Sequence, residues 1–343
     1  MTDKAKPIKA GPIKAGPMKT GSNKAKSKTS PKASLATPIE PADTSDRRCG
    51  FVAVIGAPNA GKSTLVNALV GAKVSFVSHK VQTTRVPLRG IAIDGKSQLI
   101  FIDTPGIFSP KRRLDKAMVE AAWGGTQDAD VVALMVDAAK GLSDDVKRIL
   151  DQLKDTKSKR FLVLNKIDWV EDKARLLTLA TEITTRVKFD QVFMISALDG
   201  DGVSDLKSHL ARVVPEGPWH YPEDDISDAP LRQLASEITR EKIYHWLHEE
   251  LPYSTTVETT DWQDFKNGSV RIEQTIYVER DSQKSIVLGK GGETIKKLSS
   301  DSRAEMAKLL ERPVHLFLFV KVRENWGSDP ERYRMMGLAF PKD

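Results

Sequence analysis

Residues 56–63 read Gly-Ala-Pro-Asn-Ala-Gly-Lys-Ser and follow directly on the apolar run Phe-Val-Ala-Val-Ile at 51–55. That order calls for a strand covered on both faces, a tight glycine turn and a helix behind it. Each residue type has a chemical reason to be there. Glycines let backbone N–H groups curl around phosphate oxygens, Lys62 sets a point charge against the terminal phosphates, and the Ser63 hydroxyl can ligate Mg²⁺. A chance match to this pattern in a chain of such length has a probability of about one in a hundred. The candidate phosphate site is therefore Gly56, Ala57, Pro58, Asn59, Ala60, Gly61, Lys62, Ser63 and Thr64.

Short apolar runs recur at 99–102, 131–136, 161–164 and 192–195, with helix-length segments at 63–70, 114–123, 144–153 and 173–187 between them. The alternation predicts an α/β domain with a mostly parallel sheet and helices on both faces. Three further motifs sit at strand ends. Asp103-Thr104-Pro105-Gly106 places a carboxylate where a Mg²⁺ partner belongs and a glycine N–H suited to a γ-phosphate oxygen. In Asn165-Lys166-Ile167-Asp168, a carboxylate can accept from N1–H and the 2-amino group of guanine, a donor pair that adenine lacks, so Asp168 would select GTP over ATP. Ser196-Ala197-Leu198 would add backbone contact to the base edge.

The four motifs resemble, in order and spacing, the guanine-nucleotide-binding P-loop proteins, over residues 51–214. The resemblance implies GTP and GDP as ligands, with Mg²⁺ held by Ser63, Asp103 and a switch threonine. Of Thr83-Thr84-Arg85, Thr84 is the preferred ligand and Thr83 the alternative. It also implies GTP hydrolysis served by Lys62, Thr84, Gly106 and Asn59. The residue after Gly106 is Ile107, and an aliphatic chain cannot orient water by hydrogen bonding, so intrinsic turnover is expected to be slow. Asn59 resembles the residue that helps bind K⁺ in relatives lacking a water-orienting glutamine, which makes K⁺ a candidate cofactor.

Beyond a Pro- and acid-rich linker at 215–229 the pattern changes. An amphipathic helix at 231–251, strands at 255–260 and 270–279, a glycine turn at 289–292 opening a helix to 310, and an alternating strand at 314–322 predict a smaller α+β domain. A G-x-x-G sequence is expected once or twice by chance at about 7% glycine. Here Gly289-Lys290-Gly291-Gly292 lies between two helices in a stretch, 284–297, with four lysines and one glutamate. That resembles a type II KH domain, whose loop clamps single-stranded RNA backbone. The candidate RNA contacts are Lys284, Gly289, Lys290, Gly291, Gly292, Lys296 and Lys297.

A GTPase domain at 48–214 followed by a KH domain at 230–343 resembles the Era family of bacterial ribosome-assembly GTPases. Gly56-Ala57-Pro58-Asn59, Gln82-Thr83-Thr84-Arg85, Glu250-Leu251-Pro252-Tyr253-Ser254, Pro313-Val314-His315-Leu316 and Asn325-Trp326 carry the likeness. It implies binding near the 3′ end of 16S rRNA, action in 30S subunit maturation, a monomer in the cytoplasm, and peripheral association with the inner face of the cell membrane. A P-loop RNA-modifying enzyme and a nonswitching RNA scaffold are the competing readings.

Net charge does not argue for RNA by itself. Of 53 bases and 46 acids, residues 1–39 take nine lysines and one acid, so the remainder holds 44 bases against 45 acids. Residues 1–47, rich in Lys, Gly and Pro, are expected to be disordered, because they cannot bury enough apolar surface to offset ordering entropy. One cysteine, Cys49, rules out an internal disulfide and suits a reducing compartment. His220, His245, His248 and His315 show no metal-ligand spacing, and Trp123, Trp169 and Trp246 are expected as core or groove anchors. Phe317 and Phe319 share a face with His315 and are expected to pack under the helices.

Overall fold

The computed structural model describes residues 46–78, 80, 83–247 and 251–341. The tail at 1–45 and Gln82, His248 and Glu250, on which expectations were placed, lie outside the described residues.

Six strands form the first sheet in the order β2-β3-β1-β4-β5-β6. β1 (Arg48–Gly56), β3 (Ser97–Asp103), β4 (Val131–Asp137), β5 (Lys159–Asn165) and β6 (Gln191–Ile195) run parallel, and β2 (Leu88–Asp94) pairs antiparallel with β3. Every residue of β4 is buried because helices cover both faces. α1 (Lys62–Val70) and α5 (Val203–Val213) pack Leu65, Val66, Leu69, Leu206 and Leu210 on one side. α2 (Arg113–Gln127), α3 (Asp144–Leu153) and α4 (Ala174–Thr184) pack Ala122, Ile149, Leu150, Leu176 and Ile183 on the other. Each such leucine, isoleucine or valine side chain contributes about 1.5–3 kcal/mol. The sheet brings Gly56, Asp103 and Asn165 to the same edge, since parallel strands end together.

β2 escaped the sequence reading because Gly90 interrupts it. The glycine is required: a Cβ there would lie 2.8 Å from Val70 and 3.1 Å from Val66 and Val74. The 215–229 stretch runs along this edge, where Ile91 N donates to Ile226 O (2.9 Å), Gln98 Nε2 to Tyr221 O (2.8 Å) and Arg89 to Asp228 (2.9 Å).

In the C-terminal half, α6 (Leu231–Trp246), α7 (Asp281–Leu288) and α8 (Glu293–Leu309) accompany the sheet β7-β8-β9. β7 (Thr256–Asp264) pairs antiparallel with β8 (Val270–Val278), and β8 parallel with β9 (Val314–Val322), the α7–α8 crossover making the parallel pair reachable. β7 continues past 260 through a bulge between Thr259 and Asp261. Ile238, Ile272, Met306 and Leu316 pack one core cluster and Ile243, Ile276, Val287 and Leu298 the next.

Two sequence expectations fail here. Phe317 and Phe319 do not pack under the helices, because these cover only the opposite face of the sheet; each residue is 46% exposed. Trp169 is not a core anchor: it stands 65% exposed beside Lys166. Trp123 does pack against the first domain's core, and Trp246, with Phe76 and Ile238, lines a cleft of about 1000 Å³. Beyond β9, Trp326, α9 (Pro330–Met335) and Leu338 fold back so that Trp326, Tyr333 and Leu338 pack with Leu114, Ala117 and Met118 of α2. Among the described residues no helix is long and apolar enough to cross a membrane.

Candidate functional site

The phosphate loop is held from behind. A Cβ at Gly56 would lie 2.4 Å from Met135 O, and one at Gly61, where φ is 99°, would lie 2.2 Å from Asn165 Nδ2. Only glycine fits either place. Lys62 is buried, and its Nζ donates to Gly56 O (3.2 Å) and Ala57 O (3.0 Å). Burial pushes its pKa down to about 8 although Asp103 pulls the other way. An ammonium set among its own loop's carbonyls is poised for an anion that restores its charge.

Ser63, Thr84 and Asp103 converge. Asp103 Oδ2 accepts from Ser63 Oγ at 2.7 Å and from Thr84 Oγ1 at 3.1 Å, and the two hydroxyls are 3.0 Å apart. Burial raises the pKa of the Asp103 carboxyl, with the Ser63 bond and Lys62 opposing, and its Oδ1 is buried with no hydrogen-bond partner. Two hydroxyls and a carboxylate with a spare buried oxygen are a hard donor set that fits Mg²⁺. The Thr83 hydroxyl instead donates to Lys80 O at 3.0 Å.

Asn59, in the left-handed region at φ 61°, lines one cavity with Lys62, Thr83, Thr84, Thr104 and Gly106. Thr104 Oγ1 donates to Val54 O (2.7 Å), and a Cβ at Gly106 would press on Pro58 Cα at 3.0 Å. Ile107 turns away: its side chain is buried with Ala53 and Ile55, and its N–H donates to Gly56 O at 3.1 Å. Pro105 continues the stretch between them, which is buried as far as Ile107.

At the base end Asn165 is a strap. Its Nδ2 donates to Ala60 O at 2.8 Å and its Oδ1 accepts from Ala197 N at 2.9 Å, joining the phosphate loop to the 196–198 stretch. Of the 196–198 stretch expected to offer backbone contact to the base edge, the Ala197 N–H is engaged by Asn165. Lys166, at φ 63°, donates to Asp137 Oδ2 at 2.7 Å and lies 5.3 Å from the Trp169 ring centroid. Asp168 is exposed in the one-turn helix Ile167–Trp169; Ser196 is buried, bonding Asp199 at 3.0 Å, and Leu198 is 76% exposed. Sequence reading missed Asp137 and Asp199; the signal for the first is an acid closing the apolar run of β4.

The second glycine loop lies between α7 and α8. Gly289, Gly291 and Gly292 have φ of 74°, 62° and 80°. A Cβ at Gly289 would meet Thr294 Oγ1 at 2.2 Å, whereas one at Gly291 meets nothing within 4 Å. Lys290, Lys296 and Lys297 are exposed and Lys284 half-buried. Lys297 pairs with Glu293 (3.3 Å) and lies over Trp246 (5.4 Å to the ring centroid). Ile286, 56% exposed, adds an apolar side chain beside the loop.

Residues 51–166 match a family described as 50S ribosome-binding GTPase, and residues 250–327 match the KH domain family. The chain is 62% identical to GTPase Era of Afipia carboxidovorans over 296 residues, 86% of this chain and 96% of that protein. It is 61% identical to GTPase Era of Brucella suis over 299 residues, 87% of this chain and 96% of that protein. Two solved structures superpose with a TM-score of 0.81 at 38% identity, covering 85% of this chain and 99% of theirs. One is Era in complex with MgGDPNP and nucleotides 1506–1542 of 16S ribosomal RNA, and the other a point variant of Aquifex aeolicus Era bound to GDP·AlF₄⁻.

Proposed function

The chain belongs to the Era family of GTPases, and we propose that it works as a GTP-driven RNA-binding switch in assembly of the small (30S) ribosomal subunit, holding the 3′ region of 16S rRNA through its KH domain. It hydrolyses GTP to GDP and phosphate. The observation that carries the switch reading is the position of Thr84. Its hydroxyl reaches Asp103 and Ser63, while the segment that bears it also touches the KH domain, Phe76 packing with Ile238 and Val314. A nucleotide that draws Thr84 in therefore acts on the second domain.

In this reading Gly56 to Thr64 cradle the phosphates, Lys62 supplies charge to the terminal ones, and the Gly106 N–H donates to the γ-phosphate. Ser63, Thr84 and Asp103 would hold Mg²⁺, which when bound neutralises charge on the β- and γ-phosphate oxygens. At the base, Asp168 pairs with guanine's two donors, while Asn165 ties the phosphate loop to the 196–198 stretch and Lys166, paired with Asp137, lies beside them. With Ile107 buried in the core, no side chain at that place orients water, which supports slow intrinsic turnover. K⁺ beside Asn59 would supply the missing positive charge; equal turnover in Na⁺ and K⁺ removes this role.

Gly289 to Gly292, with Lys284, Lys290, Lys296 and Lys297, present backbone and charge to single-stranded RNA. The proposal extends to a cytoplasmic monomer that associates peripherally with the cell membrane, which sedimentation with anionic vesicles checks. The central test compares affinity for the 1506–1542 fragment in GDP and in a nonhydrolysable GTP analogue. A switch binds it differently in the two states; equal affinities leave a scaffold.

A further inference from the structure

The residue next to Thr84 is held by the other domain. Arg85 is 2% exposed, and its guanidinium fork ends among the carbonyls of a single turn: Nη1 donates to Thr255 O at 2.8 Å, and Nη2 to Pro252 O at 3.2 Å and Tyr253 O at 3.4 Å. Nη2 also donates to the Tyr244 hydroxyl at 3.4 Å, and Cζ lies 5.8 Å from the Trp326 ring centroid. These partners are carbonyls and a phenol rather than a carboxylate. A buried cation that makes three of its four hydrogen bonds to carbonyls of one turn cannot leave that turn without losing most of its solvation, so the turn and the arginine move together. Immediately upstream, Arg240 of α6 donates to Thr83 O. Thr84 is thus flanked on both sides by residues bonded to the KH half of the molecule, while its own hydroxyl bonds Asp103.

We propose that Arg85 is a positioning residue that couples the nucleotide site to the RNA-binding domain: it ties the 252–255 turn to Thr84, so that Thr84 reaches Asp103 only with the KH domain seated as observed. The inference rests on the switch reading above and names its mechanical part. The planar fork is essential to it, because a lysine at 85 keeps the charge but cannot span the carbonyls of 252, 253 and 255 together. Coupling of this kind is reciprocal, so RNA that favours the seated position tightens binding of the triphosphate over the diphosphate by the same factor.

The test uses the full chain with Arg85→Lys, and Arg271→Ala as control. Arg271 pairs with Glu273 and lies over the exposed Phe317 ring on the open face of the KH sheet. Affinity for the 1506–1542 fragment is measured with Mg²⁺ and GDP, and with Mg²⁺ and a nonhydrolysable GTP analogue. The parent and the control are expected to show a ratio of about tenfold between the two nucleotide states. Arg85→Lys brings the ratio to within about twofold of unity and leaves GDP affinity unchanged. Hydrogen exchange gives a second readout: amides of residues 253–255 gain protection with the GTP analogue in the parent and not in Arg85→Lys. If Arg85→Lys retains the parent's ratio and protection, the role of Arg85 is overturned and the switch stands. If the parent itself has no ratio, the switch reading falls and this inference with it.

Discussion

The molecule has two glycine loops, each opening a helix and each proposed to meet an anionic ligand, and they are built in opposite ways. In the phosphate loop the surroundings dictate the backbone: Gly56 lies under Met135, Gly61 under Asn165, and Lys62 is buried. In the 289–292 loop only Gly289 is pressed from outside, by Thr294, while Gly291 stands in open space and Lys290 in solvent. The first loop is an internal part whose charges are perturbed by the fold. The second is a surface shape whose chemistry comes from its own φ angles. Tolerance to substitution should follow this difference.

The largest effect is expected at Gly61. Gly61→Ala puts a Cβ 2.2 Å from Asn165 Nδ2 at a φ of 99°, where an L-residue already costs about 1–2 kcal/mol. Asn165 cannot retreat without releasing Ala60 O and Ala197 N, so the strap between phosphate and base ends is broken. GTP affinity, measured by fluorescent-nucleotide titration, should fall more than about 1000-fold, the equivalent of roughly 4 kcal/mol. A loss below tenfold would mean that the loop is as adaptable as its counterpart.

Asp168→Ala comes next. Asp168, proposed to pair with guanine, is exposed, like Lys290 and Gly291 of the second loop. Its removal should leave thermal stability unchanged, lower GTP affinity about 100-fold and bring GTP and ATP close to equal binding, as expected when a charged hydrogen-bond pair is lost. Competition titration with both nucleotides measures this. Retained preference for GTP would shift base selection onto the backbone at 196–198.

The two loops also differed in how far they could be read. The phosphate loop, its strands and the acids at strand ends follow local rules, period and motif, so Lys62, Ser63 and Asp103 could be named from their neighbours in sequence. What could not be read was contact across the chain. β2 was hidden because Gly90 answers to Val66 and Val70 of a helix rather than to strand propensity. Phe317 and Phe319 look like core residues until the helices are seen to lie on the other face. Trp326 was visible only as part of a motif and Tyr333 not at all, and only folding shows α2 as their partner. Arg85 was visible as a motif letter, and its carbonyl partners lie about 170 residues away.

A smaller effect, with a definite sign, comes from Lys62. Its pKa in the free fold is about 8, below that of an unfolded lysine, so the unfolded chain binds more protons between pH 8 and roughly 10.4. Stability of the nucleotide-free protein should therefore rise with pH across that window. Nucleotide phosphates restore the charge, so binding takes up a proton there and GTP affinity falls by up to about tenfold per pH unit above 8. Calorimetry in buffers of different ionisation enthalpy reads the proton uptake. RNA affinity over the same series is the reference, and an equal fall there erases the contrast.

The smallest effects belong to the 289–292 loop proposed to hold RNA, and divide it internally. Gly291→Ala meets no atom within 4 Å and bears only the cost of φ 62°, about 1–2 kcal/mol if the loop keeps its shape. An exposed turn can relax part of that strain, so RNA affinity should fall only about threefold, with GTP affinity unchanged. Gly289→Ala, blocked by Thr294 Oγ1 at 2.2 Å, should fall further, about tenfold, and adding Thr294→Ala should recover little of it, because the Cβ and backbone N of residue 294 still lie 2.8 Å away. Equal losses at 289 and 291 would mean that the RNA itself packs on both glycines, making close approach of the ligand the reason for them.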